Sequence, residues 1–321
     1  FNLTKIALIG EFHDAGKEIL TSNKINFIEI FDYDFENLKK QLADCDAIGV
    51  RTAKLPAEVL SHCKSLKIVA RHGVGYDSVD LEYLNQNKIP LAITGKSNAV
   101  SVAEHVITMF LVSARKIIEC HELVKKGEFS KKTLIQNTVE LFNKKILIIG
   151  YGRIGKEVAK RLHSFDCEIF VHDPFVEKNN ININPYKFID LKSGLQNADF
   201  ITIHVPLTDE TKNLISKKEL SLMKKNTIIV NTARGGIVNQ DDLFQSLAEN
   251  KILGAGLDVF THEPPEKNDI ILQAKNIVFT PHNAALTNEC RRRMSIETIE
   301  NILTHLDNKT DLDNIINKNI L

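Results

Sequence analysis

The sequence predicts an α/β protein built as two doubly wound parallel-sheet domains. Three observations predict it. Short β-branched strands alternate with helical patterns through the first hundred residues. A second alternating set begins near Asn143. The length of 321 residues exceeds one typical core and suits two.

In the first set, residues 5–10, 26–31, 47–51, 67–71 and 90–94 read as strands, and 36–44, 57–63 and 81–87 as helices between them. Strict alternation implies a parallel sheet with helices on both faces. A long periodic segment follows, 101–126. Ser101 is its expected N-cap, Glu104 completes a capping box, and Gly127 ends it. This helix is long enough to bridge two domains. In the second set, strands are expected at 145–149, to Asp173, at 200–204, 227–231, 254–258 and 277–280, with a helix over 156–162. A final amphipathic helix, 288–306, carries Met294, Ile296, Ile299, Ile302, Leu303 and Leu306. It is expected to return to the first domain. The predicted division is 1–98 with 287–321, and 99–286 inserted between.

Composition narrows the partners. Lys+Arg and Asp+Glu balance at 41 each, so no net field favours nucleic acid or an anionic membrane, and a small molecule is the expected partner. Five cysteines, at 45, 63, 120, 167 and 290, are scattered without a CxxC pair. That pattern suits reduced thiols in a cytoplasm and offers no metal site. No apolar run approaches membrane-spanning length and no signal peptide is visible.

The most specific segment is 145–173. The strand KILII runs into Gly150-Tyr151-Gly152-Arg153-Ile154-Gly155, then a helix, then a strand ending on Asp173. Strand, glycine turn, helix, strand and acid together form the dinucleotide-binding fingerprint of a Rossmann domain. Gly150 permits the tight turn, Gly152 admits a pyrophosphate to the backbone, and Gly155 lets the helix approach the strand. The helix N-terminus offers free N–H groups and partial positive charge to the phosphates. Asp173 is placed to accept from the ribose hydroxyls, and its charge selects NAD over NADP. No arginine follows it immediately; Lys178 is the nearest cation.

Three later segments end strands with polar groups on tight backbone: Asn231-Thr232-Ala233-Arg234-Gly235-Gly236, Gly256–Phe260 leading to Glu263-Pro264-Pro265, and Thr280-Pro281-His282-Asn283-Ala284-Ala285. Ligands of open α/β sheets sit beyond such C-terminal strand ends, and a cleft between two domains is the natural site. Oxidising a 2-hydroxy acid needs a base for the hydroxyl proton, and histidine titrates in the right range. A neighbouring carboxylate favours imidazolium and fixes the ring. Arginine binds a carboxylate bidentately and polarises the adjacent carbonyl. Arg234, Glu263 and His282 supply that set.

These residues resemble the D-isomer-specific 2-hydroxyacid dehydrogenase family, which includes phosphoglycerate, glycerate and D-lactate dehydrogenases and the CtBP-type corepressors. The resemblance rests on ordered motifs along nearly the whole chain: ARHGVGYDSVDL (70–81), SVAEH (101–105), GYGRIG, HVPLTDETKNLI (204–215), NTARGGIVNQDDL (231–243), GLDVF, EP and TPH. It implies a flavodoxin-like substrate domain carrying the Rossmann insert. It also implies substrate binding by Arg234, a Glu263–His282 acid/base pair, and NAD contacts at Arg153, Ile154, Asp173, Val205, Thr232, Ala233, Arg234 and Asp258. Asp258 would meet the carboxamide. Asn283, Ala284 and Ala285 stand where relatives commonly carry glycines after the histidine, and they too fall beside the cofactor. The backbone of Gly73, Val74 and Gly75 matches the loop that holds the substrate carboxylate, with Val74 near the nicotinamide. A homodimer through the nucleotide domain, or a homotetramer, is also implied. The segment Thr94-Gly95-Lys96-Ser97-Asn98 departs from the proline-bearing loop of many relatives. No segment follows residue 321 to serve as a serine-binding regulatory module, so feedback control of that kind is not expected.

Arg51 and Arg71 each end a first-domain strand, and both side chains are expected at the C-terminal edge of the sheet. Two guanidiniums beyond Arg234 imply a second anionic group on the substrate. This favours 3-phosphoglycerate/3-phosphohydroxypyruvate. The alternatives are a hydroxypyruvate or glyoxylate reductase, a sulfolactate-type dehydrogenase, and an NAD-sensing scaffold of the corepressor kind. Formate dehydrogenases share the fold but pair the histidine with glutamine, and Glu263 argues against that activity.

Overall fold

The computed structural model describes residues 4–321, and the chain divides into two compact units. One runs to Asn98 and resumes over Ala285–Leu321; the other is Ala99–Ala284.

The first unit contains β1 (Lys5–Ile9), α1 (Asp14–Ser22), β2 (Asn26–Ile30), α2 (Phe35–Leu42), β3 (Ala47–Val50), α3 (Ala57–Leu60), β4 (Ile68–Arg71), α4 (Leu81–Gln86) and β5 (Leu91–Ala92). Its sheet has the parallel order β2-β1-β3-β4-β5, the flavodoxin-like arrangement. Both faces are covered: on β1, Ile6 and Leu8 enter one apolar cluster and Ala7 and Ile9 the other. That two-sided burial is why these strands read as continuous apolar runs.

The second unit contains α5 (Ala99–Arg115), α6 (Ile117–Lys125), β6 (Lys145–Ile149), α7 (Arg153–His163), β7 (Glu168–His172), α8 (Pro174–Lys178), β8 (Lys187–Phe188), α9 (Leu191–Asn197), β9 (Phe200–Ile203), α10 (Lys217–Leu222), β10 (Ile228–Asn231), α11 (Gln240–Ala248), β11 (Gly254–Leu257) and β12 (Ile277–Phe279). These strands form a seven-stranded parallel sheet ordered β12-β11-β10-β9-β6-β7-β8, a doubly wound Rossmann sheet. On β6, Ile146 and Ile148 face one core while Leu147 and Ile149 face the other. The last helix, α12 (Asn288–Leu306), packs in the first unit with Met294, Ile299 and Ile302 buried.

Three local expectations need correction. The single helix over 101–126 is two helices, because Lys116 adopts a left-handed conformation (φ 50°) between α5 and α6. Ser101 lies buried inside α5, not at its start, because the apolar pattern begins two residues earlier at buried Ala99. Glu104 therefore caps nothing there; its carboxylate pairs with Arg161 of α7 at 3.3 Å. The strand over 90–94 shortens to Leu91–Ala92. Its free edge is held by C-terminal residues, with Leu91 N–H donating to Asn317 Oδ1 (2.8 Å) and Ile93 N–H to Asn314 O (2.9 Å). The helix α1 is absent from the sequence reading. A Cβ on its Gly16 would lie 2.3 Å from Ser295 Oγ, so packing against α12 stabilises this helix more than any strong apolar stripe of its own. Among the described residues no helix is long and apolar enough to cross a membrane.

Candidate active site

The turn after β6 sits where the strand order of the second sheet reverses, between β6 and β9. Gly150 has φ +93°, and a Cβ there would come within 2.8 Å of the His204 carbonyl and 2.9 Å of Val205 Cγ1. Gly155 is tighter: its Cβ would lie 2.2 Å from Gly150 O. Gly152 differs, since a Cβ would meet nothing within 4 Å. It is the N-cap of α7 with no side-chain cap hydrogen bond, so nothing beside this glycine crowds the start of the helix. Thr232, beyond the end of β10, is buried, and its Oγ1 has no partner among the described groups. An uncapped glycine-lined helix end and an orphaned buried hydroxyl fit a bound dinucleotide.

Asp173 stands at the end of β7 with both oxygens in use. Oδ2 accepts from Tyr151 N–H (2.8 Å), and Oδ1 accepts from Phe175 and Val176 N–H (3.1 Å each). These bonds cap α8 and fix the carboxylate beside the glycine turn. A carboxylate has about four acceptor positions, so capacity remains for a ribose hydroxyl.

Arg234, Glu263 and His282 arise on turns after β10, β11 and β12, and the backbone brings those turns together. Asn231 braces the first, accepting from Ala233 N–H (3.0 Å) and donating to Arg234 O (2.8 Å). Gly235 then packs against the second so closely that a Cβ would lie 1.8 Å from Phe260 O. Phe260 N–H donates to Glu263 Oε1 (3.0 Å), and Glu263 Oε2 lies 2.7 Å from His282 Nδ1. A carboxylate only accepts, which assigns the proton to Nδ1 and leaves Nε2 as the exchanging nitrogen. The His282 side chain is 48% exposed, open to a reacting partner. Arg234 keeps one N–H on Ala233 O (2.7 Å).

Asp258 is 1% exposed and organises the histidine turn. Its main-chain oxygen accepts from His282 N–H (2.8 Å), holding that residue at φ 50°. Its carboxylate accepts from Asn283 N–H (2.9 Å), Ala284 N–H (3.1 Å) and Thr280 Oγ1 (2.6 Å). His105, from α5, reaches Thr280 Oγ1 with Nε2 at 3.0 Å. Burial pushes the His105 imidazole down despite the nearby Asp258 charge. The neutral ring therefore donates from Nε2, since the threonine hydrogen goes to Asp258. The sequence reading gave Asp258 a cofactor role and missed both this anchoring and the place of His105. Ala284 is buried in the turn, and Ala285 opens the returning stretch of the first unit.

In the first unit, Arg51 and Arg71 stand at the C-terminal edge of the sheet, after β3 and at the end of β4. Arg71 Nε donates to Gly75 O (2.6 Å) and Nη1 to Val50 O (3.0 Å), so this guanidinium braces the Gly73-Val74-Gly75 loop. Gly73 has φ +143°, and its carbonyl accepts from Thr94 N–H (3.0 Å). Arg51 Nη1 lies 3.3 Å from Glu11 Oε2, and Arg291 Nη2 lies 2.7 Å from the same oxygen. Neither Glu11 nor Arg291 stood out in the sequence, because nothing local marks a pair 280 positions apart. Burial pushes His72 down to about 4, aided by the charges of Arg51, Arg71 and Arg291. The described residues contain no His/Cys/Asp/Glu group able to hold a metal ion.

Comparison with known proteins agrees with this geometry. The family described as D-isomer specific 2-hydroxyacid dehydrogenase, NAD binding domain, matches residues 107–284. The chain is 38% identical over 274 residues to a hydroxypyruvate reductase of Thermotoga maritima, covering 84% of this chain and 88% of that protein. It is 38% identical over 269 residues to a D-3-phosphoglycerate dehydrogenase of Archaeoglobus fulgidus, covering 84% of this chain and about half (51%) of that one. Among solved structures, an NAD-dependent formate dehydrogenase of Staphylococcus aureus superposes with a TM-score of 0.85 at 31% identity, covering 98% of this chain and 99% of that one. By sequence and by fold, the chain belongs to the D-isomer-specific 2-hydroxyacid dehydrogenase family and carries its NAD-binding domain.

Proposed function

We propose that the protein is an NAD-dependent oxidoreductase interconverting a D-2-hydroxy acid and its 2-oxo acid, with 3-phosphoglycerate/3-phosphohydroxypyruvate as the first candidate pair. The observation that carries the reading is the 2.7 Å Glu263–His282 contact beside the Arg234 turn. In oxidation, neutral His282 takes the hydroxyl proton at Nε2, and the Glu263 carboxylate stabilises the imidazolium that forms. In reduction, Nε2–H returns the proton to the carbonyl oxygen. Arg234 pairs with the substrate carboxylate and polarises the reacting carbonyl. The bound nicotinamide supplies the hydride chemistry. Asp173 disfavours a 2′-phosphate by charge, which supports NAD over NADP.

Arg51 supports a second anion on the substrate. The commitment of Arg71 to main-chain carbonyls weakens that argument and favours hydroxypyruvate or glyoxylate as a second reading. A glutamate at position 263 supports hydroxy-acid chemistry over formate oxidation. We also read the second unit as a dimerisation domain: α6 has no buried residue, and Ile117, Ile118 and Val124 are each at least half exposed.

The test is a panel of phosphohydroxypyruvate, hydroxypyruvate, glyoxylate and pyruvate with NADH and with NADPH. The expected outcome is turnover with NADH and the highest kcat/KM for phosphohydroxypyruvate. Equal kcat/KM for the uncharged-tail acids removes the second-anion reading, an NADPH preference removes the Asp173 argument, and binding of NADH without turnover of any acid points to a scaffold.

A further inference from the structure

The first sheet reverses its strand order between β1 and β3, and the chain leaving β1 there is unusual. Gly10 has φ +99°, and a Cβ on it would lie 3.1 Å from Tyr33 Oη and 3.2 Å from Arg51 Cβ. This close exit sets Glu11 over the end of β3, with its side chain 64% exposed. One oxygen, Oε2, is shared by two guanidiniums of separate origin, Arg51 after β3 and Arg291 near the start of α12. A single shared oxygen occupies one N–H of each guanidinium, and each has five. Arg291 also stands near the positive end of the α12 dipole with Arg292 and Arg293 following it, a place where cations gain nothing from the helix and anions do. A local electrostatic rule broken at a sheet's switch point is a mark of function.

We propose that Glu11 is an internal competitor for an anion site formed by Arg51 and Arg291, and that it sets discrimination between substrates with and without a second anionic group. Without such a group, the Glu11 carboxylate holds the two guanidiniums side by side. A phosphate, sulfonate or carboxylate at the substrate's far end takes its place with parallel N–H donors from both arginines. Displacement is easy because an exposed ion pair is weak. The inference deepens the dehydrogenase reading and, for its kinetic part, rests on it.

The experiment uses the whole chain, its Glu11→Gln and Arg291→Gln variants, and two readouts. By calorimetry at low salt, inorganic phosphate is expected to bind Glu11→Gln roughly three- to tenfold more tightly than wild type, and Arg291→Gln more weakly. In turnover, Glu11→Gln is expected to raise the kcat/KM ratio of phosphohydroxypyruvate to hydroxypyruvate by a similar factor, through KM. Arg291→Gln is expected to lower it. Unchanged phosphate affinity and an unchanged ratio in Glu11→Gln overturn the proposal. Absence of turnover in every form defeats the dehydrogenase reading alone, because phosphate binding still decides the role of Glu11.

Discussion

Arg234 and Glu263 are 29 positions apart, and what brings their turns together is backbone closeness at a residue with no side chain. Gly235 packs on Phe260 and Thr261, immediately before the loop that carries Glu263. Gly235→Ala forces a methyl group onto a carbonyl oxygen. It is expected to destabilise the fold by about 3 kcal/mol and to lower turnover, measured by urea unfolding and steady-state kinetics. Stability within a few tenths of wild type would show that the turns tolerate separation. Glu263→Gln tests the pair itself. Removing the charge while keeping a hydrogen-bonding side chain withdraws the carboxylate that stabilises the imidazolium, so kcat is expected to fall by roughly a hundredfold with little change in KM for NADH, read by steady-state kinetics. An unchanged kcat would mean that Glu263 does not act on His282. The residue types and their order were legible in the sequence because chemistry restricts them. Glu11, Arg291 and His105 were not, because each acts through a partner far away in sequence and no local pattern announces it.

At the scale of elements, strands were read best. β6 is bounded as expected, and the other central strands differ from expectation by a residue or two, because burial on both faces leaves a continuous apolar run. α12 was equally legible from its periodicity. α1 and the break at Lys116 were not: packing of Gly16 against Ser295 stabilises the one, and a left-handed lysine interrupts an otherwise continuous helical pattern in the other. The break bears on the proposed dimer. It starts α6 afresh, with Ile117 and Val124 seven positions apart on one stripe, and Ile118 beside them. Each remains at least half exposed, more apolar surface than a nine-residue helix normally leaves to water. Ile117→Glu combined with Val124→Glu is expected to convert a dimer to monomer without loss of helical signal, read by sedimentation and circular dichroism. A wild-type monomer at micromolar concentration would remove the assignment of this surface.

For the molecule as a whole, two histidines held neutral by their surroundings couple stability to acid. Burial holds His72 down to about 4 and His204 to about 3, against an ordinary value of 6.5. The native state therefore keeps both rings neutral where the unfolded chain protonates them. Their contribution is complete above pH 6.5 and is lost as pH falls from 6.5 toward 4, at about 1.4 kcal/mol per pH unit for each proton taken up. Unfolding free energy by urea is expected to drop steeply between pH 6.5 and 4.5. His72→Phe is expected to shallow that slope by about one proton. The edge-to-face contact with Phe12, 5.0 Å between ring centroids, gives the phenyl ring a place to pack. An identical slope in the variant would show that His72 titrates normally in the native chain.

The sequence by itself determined the doubly wound class, the glycine turn and the residue types of the proposed acid/base pair. Those rest on short-range constraints: two-sided strand burial, a positive φ, and residue types that a reaction requires. Tertiary structure alone decided which carboxylate oxygen meets which nitrogen. It made Asp258 the anchor of the histidine turn, committed Arg71 to carbonyls, and set Glu11 between Arg51 and Arg291. Each of those outcomes depends on strand order, because parallel crossovers bring together ends that the chain keeps tens or hundreds of residues apart.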